Sequence, residues 1–326
     1  MSEVRSRVES DGETVAAVVR AVLDVPWSRA RQLCYDGRVW VDDEHARDPA
    51  VRVRRGAMLM IRPQAQREVA VEREFDPARI VFVDREVVVV DKPAGLQSVP
   101  FGPDDHDSVV QRLTVALRRI EHRRVPPPRV VHRLDKDTTG LLVFARSKPA
   151  ERELAQQFRV HSVHRRYLGL AHGDVREQTI SSLLVADRGD GLRGSWRRSG
   201  HAPTSGRESI THVSVEARHE LDASAFECGR KGWLTWVRCR LETGRTHQIR
   251  IHLSEAGHPL VGEPVYSRGF ADPGLRWPKG VTPRVMLHAA ELGFTHPDSG
   301  DEILLVSPEP PDIQAWRARL AAPTPP

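Results

Sequence analysis

Several things are scarce in this sequence of 326 residues, and each scarcity excludes something. There are three cysteines, Cys34, Cys228 and Cys239. An odd, sparse set cannot form a disulfide framework, and Cys228 and Cys239 stand too far apart for a zinc knuckle, so a reducing compartment is expected. No apolar run approaches the roughly 20 residues a membrane span requires. The opening segment MSEVRSRVESDGE has no apolar signal core, which predicts a cytoplasmic protein without a membrane partner. No GxSxG, no Walker loop and no GxGxxG preceded by a strand occurs, which counts against serine hydrolases, nucleotide hydrolases and dinucleotide enzymes. His247 and His252 are five apart without the Glu of an HExxH motif, and the fifteen histidines are scattered. A metal-dependent hydrolase is therefore a poor competitor, and no metal is expected.

Lysine is scarce too. Of 49 basic residues only five are lysine: Lys92, Lys136, Lys148, Lys231 and Lys279. The net charge of +5 and pI near 9.4 suit an acidic partner. Arginine presents a planar fork that grips phosphate and stacks on bases. Arginine-rich codon usage in a GC-rich genome produces the same bias, and composition alone does not separate the two.

The length predicts two domains. TVAAVVRAVL (14–23) reads as a short apolar helix, and Ser28 as the N-cap of a second helix, SRARQLCYD, closed by Gly37. Val39 and Val41, a turn at Asp42-Asp43, and MLMI at 58–61 predict a hairpin. Residues 1–63 thus form a small α/β-hairpin unit, and the charged, aperiodic stretch 64–78 reads as a linker. In 79–316, IVFVD (80–84) is a strand, and the unbroken EVVVVDK suits a strand buried on both faces. Residues 108–124 and 151–159 have helical spacing, and LLVFA (141–145) reads as another buried strand. Residues 188–207, rich in Gly, Ser and Arg, predict a mobile basic loop, and 317–326 a tail. Long apolar strands without a regular βαβ rhythm predict an α+β fold around a mixed, largely antiparallel sheet.

Chemistry concentrates in two segments. In VVHRLDKDTTGLLVFARS (130–147), Asp135 lies between Arg133 and Lys136, so its anion is favoured. A surface salt-bridge cluster before a strand fits the same pattern. In LETGRTHQIRIHLSEAGHPLVGEPVYS (241–267), Arg245, His247, Arg250 and His252 alternate with apolar positions.

At this point the residues resemble a known family. HRLDKDTTGLLVFA resembles the HRLDxxTSG signature of the RluA-type RNA pseudouridine synthases. VVVVDKPAGL (87–96), RRYLGLAHG (165–173), TGRTHQIRIHL (243–253) with GHPLVGEPVY (257–266), and LHAAELGFTHP (287–297) resemble further family segments in the same order. SRARQLCYDGRVWVDD resembles the small RNA-binding module named after small-subunit ribosomal protein four, with Asp42-Asp43 in place of its usual Asn-Gly turn. Departures in the larger domain are small: Thr139 replaces Ser, Arg165 replaces Lys, and Gly169 replaces Ala.

The resemblance implies a pseudouridine synthase fold and a cofactor-free isomerisation of uridine in RNA, ribosomal or transfer, by a monomer. It assigns Asp135 as nucleophile, and both attack on the ribose and other routes are compatible with the motif. Tyr167 is implied for proton removal and Arg250 as the partner of Asp135. Arg133 is implied to fill the gap left by a uridine swung out of the stack, and His132 and Leu134 to support the loop. Arg245 and the basic loop are candidate phosphate contacts, as are Arg29, Arg31 and Arg38 of the N-terminal module. A binding-only ribosome-assembly protein on the same fold is the alternative. An intact Asp135, Tyr167 and Arg250 argue against it.

Overall fold

A computed structural model describes residues 3–46, 48–63, 73–100, 107–197, 203–225, 227, 231–267, 270 and 274–321. The chain divides into two compact units. One comprises Met1–Glu72, Pro100–Ser108 and Gly189–Leu192, and the other Arg73–Val99, Val109–Arg188 and Arg193–Pro326. Most of the expected linker, 64–72, lies outside the described residues.

The first unit contains β1 (Val4–Arg7), β2 (Glu13–Thr14), α1 (Val15–Leu23), α2 (Trp27–Tyr35), β3 (Val39–Val41), β4 (Glu44–His45), β5 (Arg52–Val53) and β6 (Met58–Ile61). The Thr14 hydroxyl caps α1 by accepting from Ala17 N at 3.2 Å, and Asp24 ends it in the left-handed region. The cap of α2 is Pro26, not Ser28, which lies inside the first turn. Proline has no N–H to leave unsatisfied there, so the helix starts one residue early. Asp42 and Asp43 both take positive φ, 48° and 66°, and so supply the mirror-image turn for which Asn-Gly is the usual choice. The sheet runs β1–β6–β3–β4, and Val15, Val19, Leu33, Cys34, Leu59 and Ile61 fill the core beneath it.

The second unit contains β7 (Ile80–Val83), β8 (Val87–Lys92), α3 (Val109–Ile120), β9 (Arg129–Val130), β10 (Thr139–Ala145), α4 (Lys148–Arg159), β11 (His164–His172), β12 (Gln178–Val185), β13 (Gly194–Ser195), β14 (Arg207–Leu221), β15 (Gly232–Leu241), α5 (Gln248–Glu255), β16 (Leu287–Thr295), β17 (Glu302–Val306) and α6 (Pro311–Ala321). Its sheet has the order β13–β12–β14–β15–β11–β16–β10–β8–β7, with β17 beside β16 and β9 beside β10. Of the pairs among the described strands only β10–β16 is parallel, so the class is α+β with a mixed, largely antiparallel sheet.

The four valines of β8 have no alternation because both their faces are covered. Val88 and Val90 pack with Leu113 and Leu117 of α3, whereas Val87 and Val89 pack with Leu154 of α4. All seven residues of β10 are buried for the same reason.

Three expectations shift. Helix α4 begins at Lys148, because Ser147 caps it with Pro149 in its first turn. Helix α3 stops at Ile120, short of 124, and His122 takes a left-handed conformation beyond it. The expected tail at 317 starts inside α6, whose Trp316 and Leu320 are buried, so the chain stays packed at least to Ala321. The basic segment 188–207 is partly ordered: β13 pairs with β12, and Glu255 takes Arg188 at 3.5 Å and Arg197 at 3.4 Å. Residues 198–202 of that segment lie outside the described residues, as does Cys228.

Candidate active site

Asp135 sits in the loop that joins β9 to β10, and the loop is clamped through its backbone. The Ser98 hydroxyl donates to Leu134 O at 2.8 Å and accepts from Leu134 N at 3.0 Å. The Lys92 ammonium, fully buried, donates to the carbonyls of Pro93, Leu96 and Lys136 at 2.7–2.8 Å. Burial pushes the Lys92 amine down to about 7, against the pull of Asp137 and Asp135. Arg284 donates to Asp137 O at 3.1 Å while a fork to Asp312 ties it to α6. Gly140 holds φ of 107°, and a Cβ there would stand 2.3 Å from Ala289 O, so only glycine lets β10 leave the loop against β16.

His132 does support the loop. Its Nε2 accepts from Val143 N at 3.0 Å, its ring stacks on Phe158, and burial together with Arg165 depresses it to about 3. An imidazole that accepts from a backbone amide is neutral, which suits a structural role.

The carboxylate of Asp135 meets two groups from the α5 region. Its Oδ2 lies 3.4 Å from Arg250 Nη1, and its Oδ1 lies 3.7 Å from His247 Nε2. Burial works to raise this carboxyl, but His247, Arg250 and Arg133 outweigh it and hold it below its ordinary value. Asp135 is therefore an anion at neutral pH. Lys136, expected as a flanking cation, is exposed instead.

Arg250 has a second and closer partner. Glu263 accepts from its Nε at 2.7 Å and from its Nη2 at 2.8 Å, a bidentate fork, and Glu263 Oε1 also takes the backbone N–H groups of Val265 and Tyr266. Glu263 thus fixes the guanidinium and leaves its remaining nitrogen for Asp135. Tyr167, on β11, lines the same pocket as Asp135, Arg133, Arg245, His247 and Arg250. Burial and Asp135 push its phenol above the ordinary value while Arg165 draws it back. Among the described residues the Tyr167 hydroxyl has no hydrogen-bond partner.

The structure thus brings five of the expected residues to one pocket: Asp135, Tyr167, Arg250, Arg133 and Arg245. Arg133 is exposed and makes no ion pair with another described residue, whereas Arg245 reaches Glu208 O at 3.3 Å. Arg29, Arg31 and Arg38 belong to the first unit and are not among the residues lining this pocket. Arg29 is exposed on α2. Arg31 lies over the Trp27 ring and donates to Gly191 O at 3.3 Å. Arg38 donates to Pro63 O and faces Asp36 at 3.8 Å, so it serves the unit's own packing.

His252 does not join His247. It is held between Thr211 and Ser182 at 2.9 and 3.0 Å and pushed by burial to about 4. Among the described residues no three His, Cys, Asp or Glu side chains are grouped as metal ligands would be. Glu263, Tyr266 and the bracing role of Lys92 were not picked out by sequence reasoning. The available signal was a lone Glu in the apolar segment GHPLVGEPVY, whose charge has to find a buried partner.

Comparison with known proteins agrees with this geometry. The family model for RNA pseudouridylate synthase matches residues 86–255. The chain is 37% identical over 259 residues to ribosomal large subunit pseudouridine synthase D of Nitrosomonas europaea, covering 79% of this chain and 70% of that protein. It is 33% identical over 304 residues to the protein of the same name from Xanthomonas campestris pv. campestris, covering 90% and 84%. Two solved human structures share the fold. RNA Pseudouridylate Synthase Domain Containing 4 has a TM-score of 0.56 at 21% identity, covering 76% of this chain and 95% of that one. RNA Pseudouridylate Synthase Domain Containing 1 has a TM-score of 0.51 at 24% identity, covering 80% and 100%. With an ionised aspartate, a tyrosine and an arginine gathered in the matched region, the chain belongs to the RNA pseudouridylate synthase family and is an isomerase of uridine in RNA.

Proposed function

We propose that this enzyme isomerises specific uridines of large-subunit ribosomal RNA, with Asp135 as nucleophile. The observation that carries the assignment is the Asp135 carboxylate, held ionised in a pocket between Arg250, His247 and Tyr167. Isomerisation breaks the bond from ribose C1′ to uracil N1, forms one from C1′ to C5, releases the C5 proton to water, and leaves N1 carrying a proton taken up from water. It asks for a nucleophilic carboxylate, an acceptor for that proton, and positive charge near the detached uracil anion. Asp135 supplies the first. Tyr167, with a hydroxyl that no described residue occupies, supplies the second, and Arg250 the third while keeping Asp135 charged.

A uridine inside folded RNA must leave its stack to reach this pocket. Arg133, exposed at the pocket and unpaired among the described residues, is placed to stack in the gap, and Arg245 to meet phosphate. The ribosomal assignment follows the names of the relatives. Residues 1–63 serve as a tether with the exposed Arg29 as a phosphate contact, the catalytic domain occupies 79–316 with α6 continuing to Ala321, and the enzyme works as a cytoplasmic monomer without a cofactor.

The test is tritium release from RNA labelled at uridine carbon 5, with large-subunit, small-subunit and transfer RNA compared. Release from large-subunit RNA alone is expected. Release from transfer RNA alone would replace the ribosomal assignment, and binding without release would favour an RNA-binding protein on this fold.

A further inference from the structure

The second partner of Asp135 helps to keep it ionised but is given no step in the isomerisation above, and its setting is unusually constrained. His247 is the residue before α5 and takes a left-handed conformation, φ 60° and ψ 18°, which is uncommon for a residue other than glycine or asparagine. Its Nδ1 lies 2.6 Å from the Tyr266 hydroxyl, and the two rings meet edge to face at 5.5 Å. Its Nε2 lies 3.7 Å from Asp135 Oδ1. Tyr266 is fixed in turn: its backbone N–H is held by Glu263, and its ring lies under the Arg250 guanidinium at 5.3 Å. The two oxygens of Asp135 therefore face two arms, Arg250–Glu263 and His247–Tyr266, and Glu263 joins the arms at their far end.

We propose that His247 is a positioning residue for the isomerisation: its Nε2–H orients the Asp135 carboxylate, and the Tyr266 hydroxyl at Nδ1 keeps that hydrogen on Nε2. The inference rests on the reading of Asp135 as nucleophile.

Tautomer chemistry supports the second half. A phenol hydroxyl both donates and accepts. With a neutral imidazole it donates to Nδ1, and the ring hydrogen is left on Nε2. With an imidazolium it accepts from Nδ1–H, and Nε2 still carries hydrogen. In either state a donor faces Asp135. Burial keeps the Tyr266 phenol protonated, pushed well above its ordinary value. Arg133, Arg245, Arg250 and Tyr167 line the same pocket as His247, and the charge of Arg193 acts on Tyr266.

The left-handed backbone dictates the variants. Asparagine tolerates that conformation but does not reach Asp135, whereas glutamine restores an amide donor near the position of Nε2. Misplacing a reacting group by about 1 Å costs about 100-fold in rate. His247→Asn is therefore expected to lower kcat about 10- to 100-fold with KM for RNA unchanged, and His247→Gln to recover most of it. Tyr266→Phe removes the hydroxyl that holds the hydrogen on Nε2, so its kcat should fall with KM unchanged, by less than in His247→Asn.

The assay is single-turnover tritium release by the full chain, with melting temperature as the folding control and Asp135→Asn run beside it. A wild-type kcat in His247→Asn would overturn the proposal. So would equal losses in the Asn and Gln variants, since the Nε2 donor would then not be what matters. If His247→Asn melts early, the decision passes to Tyr266→Phe, and an unchanged kcat there counts against the tautomer lock. Activity surviving in Asp135→Asn would instead remove the reading on which the inference rests.

Discussion

The loop that carries Asp135 and the helix that carries Arg29 use charged residues in opposite ways. Around Asp135 the backbone carbonyls of Leu134, Asp135, Lys136 and Asp137 are all taken, by Ser98, Thr138, Lys92 and Arg284, and the carboxylate is bracketed by Arg250 and His247. On α2 Arg29 is exposed, and its neighbours Arg31 and Arg38 are spent on packing within their own unit. Reacting groups need fixed geometry, and fixing it takes buried, mutually satisfied partners. A phosphate contact needs only an exposed cation, because its strength comes from counterion release and tolerates loose geometry. On the proposed function, the difference separates the groups that react from those that would hold RNA.

The sharpest way to break the comparison is at Glu263. Glu263→Gln leaves the buried Arg250 with Asp135, at the longer distance, as its one carboxylate partner among the described residues. Removing one partner of a buried pair costs about 3 to 5 kcal/mol, so a clear loss in denaturant-induced unfolding free energy is expected together with a fall in turnover. Unchanged stability would mean that the fork to Arg250 is not what holds this end of the site.

A smaller effect tests the rigid loop through pH. The folded value of His132, about 3, lies below the ordinary 6.5. Between those values the unfolded chain binds a proton that the folded chain refuses, so stability is present above about 6.5 and declines as pH falls toward 3. His132→Gln keeps an acceptor for Val143 N without a titrating ring, and its melting temperature should depend less on acid. Parallel acid curves for the two proteins would contradict the neutral bracing role.

The smallest effect belongs to the tether. Arg29→Ala should raise KM for RNA modestly, leave kcat unchanged, and reduce the slope of log affinity against log salt by about 1. Arg38→Ala should instead lower the melting temperature with little change in that slope. The opposite pattern would exchange their roles.

What was legible in the sequence follows the same division. The valines of β8 and the continuous apolar run of β10 announce strands covered on both faces, and Asp135, Tyr167 and Arg250 stand in contiguous motifs. Glu263 was not legible because its partner lies 13 residues away across a turn whose geometry no local pattern encodes. Nor was His247 as a partner of Asp135: the two stand in separate motifs, and only the fold brings the turn before α5 against the loop before β10. The 15-residue β14 was missed as well. Its outer half alternates between exposed and half-buried positions, a weak contrast for a pattern of period two. Helix α6 runs past 316, where the domain was expected to end, and is held by Trp316 and by the Arg284–Asp312 fork.

The central claim is that a fixed, ionised Asp135 performs the chemistry. Asp135→Asn keeps the shape of the side chain and removes its charge, so the variant should fold and bind RNA as the wild type does. The direct measurement is single-turnover release of tritium from uridine carbon 5 by purified Asp135→Asn at saturating large-subunit RNA. No release above background is the expected result, and release near the wild-type rate would contradict the account.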